Sequence, residues 1–348
     1  MEHKLRSSTI FPSLLLRMKT EATLKKISEA LHISISTVSR ALKNHPDIAE
    51  HTKKRVQELA ATLEYEPNTY AINLRNHHSK LFGVILPTLS NNFYQAFIAT
   101  LEEDARKNGY SLLIVQSCDD PQVELQSIKL FRANKVAGVF VCLSPNSADT
   151  TAFLKMEDLD TPVIFFDKVP PINSCNKVCV ADIAAAQLAA NCLIEKGYQH
   201  ILALFGNAKM SITHKRLQAF EEAFATANST AQLYIEFAHS SDESMLITQK
   251  CLNTTRSIDA IFCMSDEVLI GAMKTLQQNN IAIPSQIGVI AISNGFIPQL
   301  FHPNICYIET SGAKLASLAF QRMMACLAGS TFIQELTVDA VYVKGNSI

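Results

Sequence analysis

No stretch of this 348-residue chain reaches the ~18 consecutive apolar residues that a membrane-spanning helix requires. Glycine is scarce, eleven residues in all, and none of it forms the clustered loop that cradles a phosphate. No Ser-His-Asp or Cys-His arrangement stands in a nucleophile's context, which argues against an enzyme. There is no strict internal repeat and no low-complexity tract. The nine cysteines (118, 142, 175, 179, 192, 251, 263, 306 and 326) are an odd number without pattern, mostly inside apolar segments, so a disulfide framework is not expected. Cys175 and Cys179 have no second ligand pair near them, so half of a metal site is missing. Neither cofactor nor metal is expected.

What is present is ample apolar material, 48% of residues, enough for two or three cored domains at this length. The net charge of −1 hides an asymmetry. Residues 18–80 hold ten Lys/Arg against seven Asp/Glu, together with five of the ten histidines. Residues 81–348 hold eighteen basic against twenty-four acidic groups. A small basic head on a larger acidic body suits a head that meets phosphates. Residues 1–20 read as a disordered extension. Lys4 and Arg6 precede a short apolar stretch broken by Pro12 and Ser13, no small-residue cleavage site follows, and Met18 reads as a natural start.

Helical periodicity opens at Leu24 and marks three short helices within residues 21–67. Leu24, Ile27, Ala30 and Leu31 share one face, Val38, Ala41 and Leu42 a second, and Val56, Leu59, Ala60 and Leu63 a third. Beyond Leu81 the pattern changes to apolar, β-branched runs alternating with helical stretches. Strands are expected at 81–86, 111–116, 137–142 and 162–166, and again at 200–205, 233–237, 258–263 and 287–292. Helices are expected near 92–108, 121–133, 148–157, 182–196, 213–227, 242–253 and 266–279. Near-continuous apolar strands between helices mean parallel sheets covered on both faces. Two such series mean two doubly wound lobes. Residues after Ile305 are expected to cross back to the first lobe as a helix over 313–328 and a strand over 336–343. The body is thus residues 80–348, with lobe 1 at 80–178 and 310–348 and lobe 2 at 179–309.

Two helices joined by a tight turn make a helix-turn-helix. Ser34 is a good N-cap for the second helix. The exposed side of that helix carries Ile35, Ser36, Ser39 and Arg40. An Arg40 guanidinium can fork onto guanine O6 and N7, while Ser and Ile can meet a thymine methyl or a phosphate. Thr23, Thr37, Thr52, Lys53 and Arg55 fall at helix starts or flanks, where hydroxyls and cations meet phosphates. A generic three-helix bundle with a solvated basic face has the same spacing.

The residues themselves carry a sharper signal. Thr23-Leu24-Lys25-Lys26-Ile27-Ser28, Ser36-Thr37-Val38-Ser39-Arg40-Ala41-Leu42, Thr52-Lys53-Lys54-Arg55-Val56 and Glu64-Tyr65-Glu66-Pro67-Asn68 closely resemble the head of the lactose/galactose repressor (LacI/GalR) family. Ala71-Ile72-Asn73-Leu74-Arg75 resembles that family's hinge helix, placing a hinge at 68–79. The resemblance implies that Asn68, Ala71, Leu74 and Arg75 contact DNA, with Leu74 wedging between central base pairs in the minor groove. Two positions depart from the family pattern. His32 stands where glycine is usual, at a turn position expected to need positive φ. Lys26 replaces the acidic residue of a capping box.

The body resembles the same family more loosely. Phe82-Gly83-Val84-Ile85-Leu86-Pro87, Asn91-Asn92-Phe93-Tyr94, Asp119-Asp120-Pro121, Val136-Ala137-Gly138-Val139, Phe165-Phe166-Asp167-Lys168-Val169, Arg216-Leu217-Gln218-Ala219-Phe220 and Ser265-Asp266-Glu267 carry the likeness. It implies a periplasmic-binding-protein-like fold whose ligand lies outside the carboxyl ends of the strands. Phe93 and Tyr94 are expected to stack on a ring, and Arg216 to donate to hydroxyls or a carboxylate. Asp266 is expected to accept from hydroxyls, with Ser293 and Asn294 beside it. Ser293 and Asn294 replace the acidic residues common in the family. The C-terminal residues 339–348 match poorly.

The resulting expectation is a cytoplasmic, homodimeric transcriptional repressor. It binds pseudo-palindromic operator DNA under control of a small carbohydrate effector held between two lobes. An exported solute-binding protein and an enzyme on a two-lobed α/β fold are the alternatives.

Overall fold

The structure, a computed structural model, describes residues 23–65, 79–145, 147, 150–254 and 257–348. The chain divides into two compact units at Arg75 and Asn76. The expected extension at 1–20 and the hinge residues Asn68, Ala71, Leu74 and Arg75 lie outside the described residues.

The first unit contains α1 (Leu24–Leu31), α2 (Ile35–Leu42) and α3 (Glu50–Thr62). Side-chain caps start the first two helices: Thr23 accepts from the Lys26 amide and Ser34 from the Thr37 amide. His32 closes α1 in the left-handed conformation, φ 53°, as the turn requires. It is a conformation His adopts at some cost where Gly would not. Ile27, Val38, Ala41, Val56 and Ala60 are buried at the centre, ringed by Leu24, Leu31, Ile33, Leu42, Ile48, Leu59 and Tyr65. So few buried side chains leave little stability to spare in a head this small.

The second unit is built on two six-stranded sheets. The first uses β1 (Leu81–Leu86), β2 (Ser111–Gln116), β3 (Gly138–Val141), β4 (Val163–Phe166), β5 (Asn176–Val180) and β11 (Glu335–Val338), in the order β11-β5-β4-β3-β1-β2. The second uses β6 (His200–Phe205), β7 (Gln232–Phe237), β8 (Ala260–Cys263), β9 (Gly288–Ser293), β10 (Cys306–Glu309) and β12 (Val341–Val343), in the order β12-β10-β9-β8-β6-β7. Every pairing is parallel except β10 with β12. Helices α4 (Asn92–Lys107), α5 (Pro121–Ala133), α6 (Thr151–Glu157) and α11 (Gly312–Leu327) cover the first sheet. Helices α7 (Asp182–Lys196), α8 (Ser211–Thr226), α9 (Ser241–Thr254) and α10 (Asp266–Gln278) serve the second lobe.

Alternation along β1 explains why both faces are apolar. Phe82, Val84 and Leu86 pack with Phe97 and Leu315 on one side. Ile85 packs with Phe131, Val139 and Phe153 on the other. Gly83 lies on that second face, where a Cβ would come within 2.7 Å of the Phe131 ring.

Three corrections to the sequence reading concern how the chain is shared between lobes. The run 336–343 is not one strand in lobe 1. It breaks at 339–340, with β11 parallel to β5 in the first sheet and β12 antiparallel to β10 in the second. Alternation of Leu336, Val338, Ala340 and Tyr342 is continuous, yet Val338 joins the first lobe's core while Ala340 and Tyr342 pack on the second's. The C-terminus also belongs to lobe 2: the buried Ser347 hydroxyl donates to Val289 O and accepts from the Cys306 amide at 2.7 Å. Finally, β5 and β10 were not foreseen, and β10 keeps residues 306–309 in lobe 2 before the chain crosses back. Three segments therefore join the lobes, at residues 181, 310–311 and 339–340.

Candidate functional site

On the first unit the candidate surface is the outer side of α2. Ile35, Ser36 and Arg40 are exposed there, and Thr37 and Ser39 half-buried. Ser36 Oγ lies 2.7 Å from Ser34 Oγ, and Thr37 Oγ1 lies 2.8 Å from the same atom. The helix start is thus a small hydroxyl cluster with Arg40 one turn on. Thr23 is exposed, Thr52 is half-buried with Oγ1 3.2 Å from His51 Nε2, and Arg55 is exposed. Lys53 does not fit the expectation. It is only 6% exposed and its Nζ pairs with Glu50 at 2.7 Å, so its charge is spent within α3.

On the second unit the candidate site is a cavity of about 300 Å³ between the lobes. Its walls come from residues just past the carboxyl ends of strands: Thr88 after β1, Asp119 after β2, Asp167 and Lys168 after β4, Asn207 after β6, His239 after β7, and Ser265 to Glu267 after β8. That placement follows from parallel topology, because helix N-termini and loop amides converge at that edge.

Arg216 lines the cavity from the second turn of α8. It is buried. Nε and Nη2 reach Asp182 Oδ1 at 2.9 and 2.8 Å, and Nη1 donates to Met264 O at 2.9 Å. Burial raises the Asp182 carboxyl above its ordinary value, and Arg216 offsets only part of that. Asp266 follows the N-cap Ser265 of α10. It accepts from the Ser293 hydroxyl, and from the Asn294 amide at 3.4 Å. Burial lifts its pKa, partly countered by those two donors.

Phe93 is half-buried in the lining, edge-on to Tyr94 at 5.5 Å between centroids. Tyr94 is 5% exposed, and its hydroxyl donates to Asp167 Oδ2 at 2.7 Å. Its ring packs in the first lobe's core while lining the cavity, and its hydroxyl is committed to Asp167. Burial, then Asp167 and Cys142 beside it, push the Tyr94 hydroxyl well above its usual range. Ser293 lies in the lining but is the last residue of β9 rather than beyond it. Asn294 does not line the cavity. Its Nδ2 donates to Asn92 O at 3.5 Å and its Oδ1 accepts from the Gly312 amide at 3.2 Å, so it ties the second lobe to the first.

Sequence reasoning did not nominate Asn91, Asp119, Asp167, Lys168, Asn207, His239 or Glu267. Their positions after strands were a usable signal. Asn91 Nδ2 donates to Glu267 Oε1 across the lobes at 3.1 Å. Among the described residues no group of His, Cys, Asp and Glu is arranged to hold a metal ion, and no helix is long and apolar enough to cross a membrane.

Comparison with known proteins matches both units of the chain. A family model described as bacterial regulatory proteins, lacI family, matches residues 23–68, and one described as periplasmic binding proteins and sugar binding domain of LacI family matches residues 79–329. The transcriptional repressor PurR of Vibrio cholerae is 24% identical over 305 residues, covering 87% of this chain and 90% of its own. The transcriptional regulator RegA of Clostridium saccharobutylicum is 25% identical over 312 residues, covering 88% and 92%. The crystal structure of the lac repressor dimer bound to operator and the anti-inducer ONPF matches in fold, with TM-score 0.85 and 19% identity over 94% of this chain and 99% of that one.

Proposed function

The chain belongs to the lacI family of bacterial regulatory proteins, and from that premise we propose a homodimeric transcriptional repressor, acting in the cytoplasm, whose hold on operator DNA is set by a small carbohydrate-like effector. The observation that carries this reading is the presence in one chain of a helix-turn-helix with Arg40 exposed and a cavity of about 300 Å³ at the strand ends of a two-lobed body.

The head reads DNA through α2. Arg40 forks onto a guanine edge, Ile35 and Ser36 meet neighbouring bases, and Thr23, Thr37, Ser39, Thr52 and Arg55 hold phosphates. Asn68, Ala71, Leu74 and Arg75 serve as the hinge. In the body, Arg216, Asp266, Ser293 and Phe93 hold the effector. Asn294 acts on it through the lobe arrangement and through its amide hydrogen bond to Asp266. The effector shifts operator affinity by the difference in its own affinity for the two lobe arrangements, and by no more than that. That the named relatives are a transcriptional repressor and a transcriptional regulator favours this reading over an enzyme.

The test is a gel shift on palindromic DNA carrying a candidate operator, with and without a carbohydrate panel. Retarded DNA whose affinity changes with one sugar supports the reading. No specific retardation of DNA recovered by genome-wide mapping of bound sites would remove it.

A further inference from the structure

The cavity holds more negative charge than its own cations match. Asp119 and Asp167 line it from the first lobe, Asp266 and Glu267 from the second. Lys168 and Arg216 line it as well, both engaged, with the imidazole of His239 beside them. Lys168 Nζ stands 3.4 Å from Asp119, and Arg216 forks onto the buried Asp182. The other three carboxylates hydrogen-bond to neutral donors: Asp167, which also lies within electrostatic reach of Lys168, to the Tyr94 hydroxyl, Asp266 to the Ser293 hydroxyl and Asn294 amide, Glu267 to the Asn91 carboxamide.

A second feature borders the same cavity. Thr213, 1% exposed, has a hydroxyl with no hydrogen-bond partner among the described residues. It lies one turn before Arg216 in α8 and against Gly206 of the cavity wall, where a Cβ would come 3.7 Å from its Oγ1. A buried hydroxyl left unpaired is costly, and a polar group entering beside Gly206 satisfies it.

We propose that this cleft takes a hydroxyl-bearing ligand that carries a protonated amine, and that it rejects phosphorylated and carboxylated ones. The inference rests on the cleft being the effector site and adds the ligand's charge. Closing two lobes on a ligand removes water from carboxylates on both sides, and like charges repel more strongly as the dielectric falls. An ammonium presents three donors and no acceptor, so it offsets the charge while meeting carboxylate oxygens. An anionic ligand adds repulsion, and the two lysine and arginine charges in the wall, Lys168 and Arg216, already face carboxylates. Hydroxyls have Thr88, Asn207 and Ser265 as partners in the same walls.

The experiment is calorimetry and thermal shift on the full chain at neutral pH with matched series: glucosamine, glucose and glucose 6-phosphate, then tris(hydroxymethyl)aminomethane against pentaerythritol and inorganic phosphate. The amine member of each series is expected to bind at least about tenfold tighter than its neutral counterpart, with the phosphates weakest. Asp167→Asn together with Glu267→Gln should flatten that order, and Glu267→Gln alone should weaken it without disturbing the core. No preference for the amine in either series, a phosphate ranking first, or an order unchanged in the double variant would overturn the proposal. An anionic effector that still releases operator DNA would remove this inference and leave the regulator reading intact. The amine order without any operator binding would do the reverse.

Discussion

Arg216 and Asp182 form a buried ion pair beneath the cleft, with each side chain 6% exposed and contacts of 2.8 and 2.9 Å. Asp182 is the first residue of α7, just past one of the segments that join the lobes. Arg216 is in the cavity wall. The pair therefore fixes a candidate ligand-binding guanidinium against the point where the chain changes lobe. Asp182→Asn keeps the shape but strands the guanidinium without its counter-charge. The expected loss is about 3–5 kcal/mol of stability, read by urea denaturation. A loss below about 1 kcal/mol, the level of an exposed pair, would show that the pair does not hold this wall.

Asp266 gives a pH dependence with a defined sign. Its folded pKa is raised above 3.8 by burial. The folded state then holds a proton that the unfolded state has released, and its contribution to stability is fully present below 3.8. It is lost as pH rises from there through the raised folded value. Asp266→Asn should flatten the stability profile in that window when denaturation is followed against pH. An identical slope in both proteins would assign the dependence to other groups.

Arg40→Ala should relax base preference at one position of each half-site, at about 1–3 kcal/mol. Binding-site selection on random DNA reads this directly, and an unchanged preference profile would remove Arg40 from the reading set.

Leu74→Ala should weaken operator binding far more than binding to unrelated DNA, because a minor-groove wedge acts only where the duplex can be kinked. Equal losses on both DNAs in a competition gel shift would count against the wedge.

Gly271 lies inside α10 where a Cβ would come 2.2 Å from Ser241 O, at the close packing of α9 on α10. Gly271→Ala should cost about 1–3 kcal/mol by forcing those helices apart, despite the higher helix propensity of alanine. A gain in thermal stability would mean the helices can separate freely.

Local chemistry made much of this protein legible without coordinates. The cap at Ser34, the left-handed turn at His32 and the α/β alternation depend on neighbours a few residues apart. They were readable for that reason. Which lobe owns a segment is a different kind of question. The alternation from Leu336 to Tyr342 is unbroken, so nothing local marks the switch at 339–340; only the competing cores of the two lobes decide it. Tyr94 and Lys53 illustrate the same limit. Each has the right type and position for a contact, but Asp167, distant in sequence, and a buried face of α3 absorb them. The carboxylate surplus of the cleft was likewise out of reach. Asp119, Asp167, Asp266 and Glu267 are scattered over nearly 150 residues, and their common charge becomes a property of one site only when two parallel sheets bring their strand ends together. The sequence by itself determined most of the elements and the three-helix head, through short-range caps and periodicity, and its motifs carried the family resemblance. Tertiary structure alone decided the ownership of the C-terminus and the charge of the cleft, because both depend on which distant residues share a desolvated space.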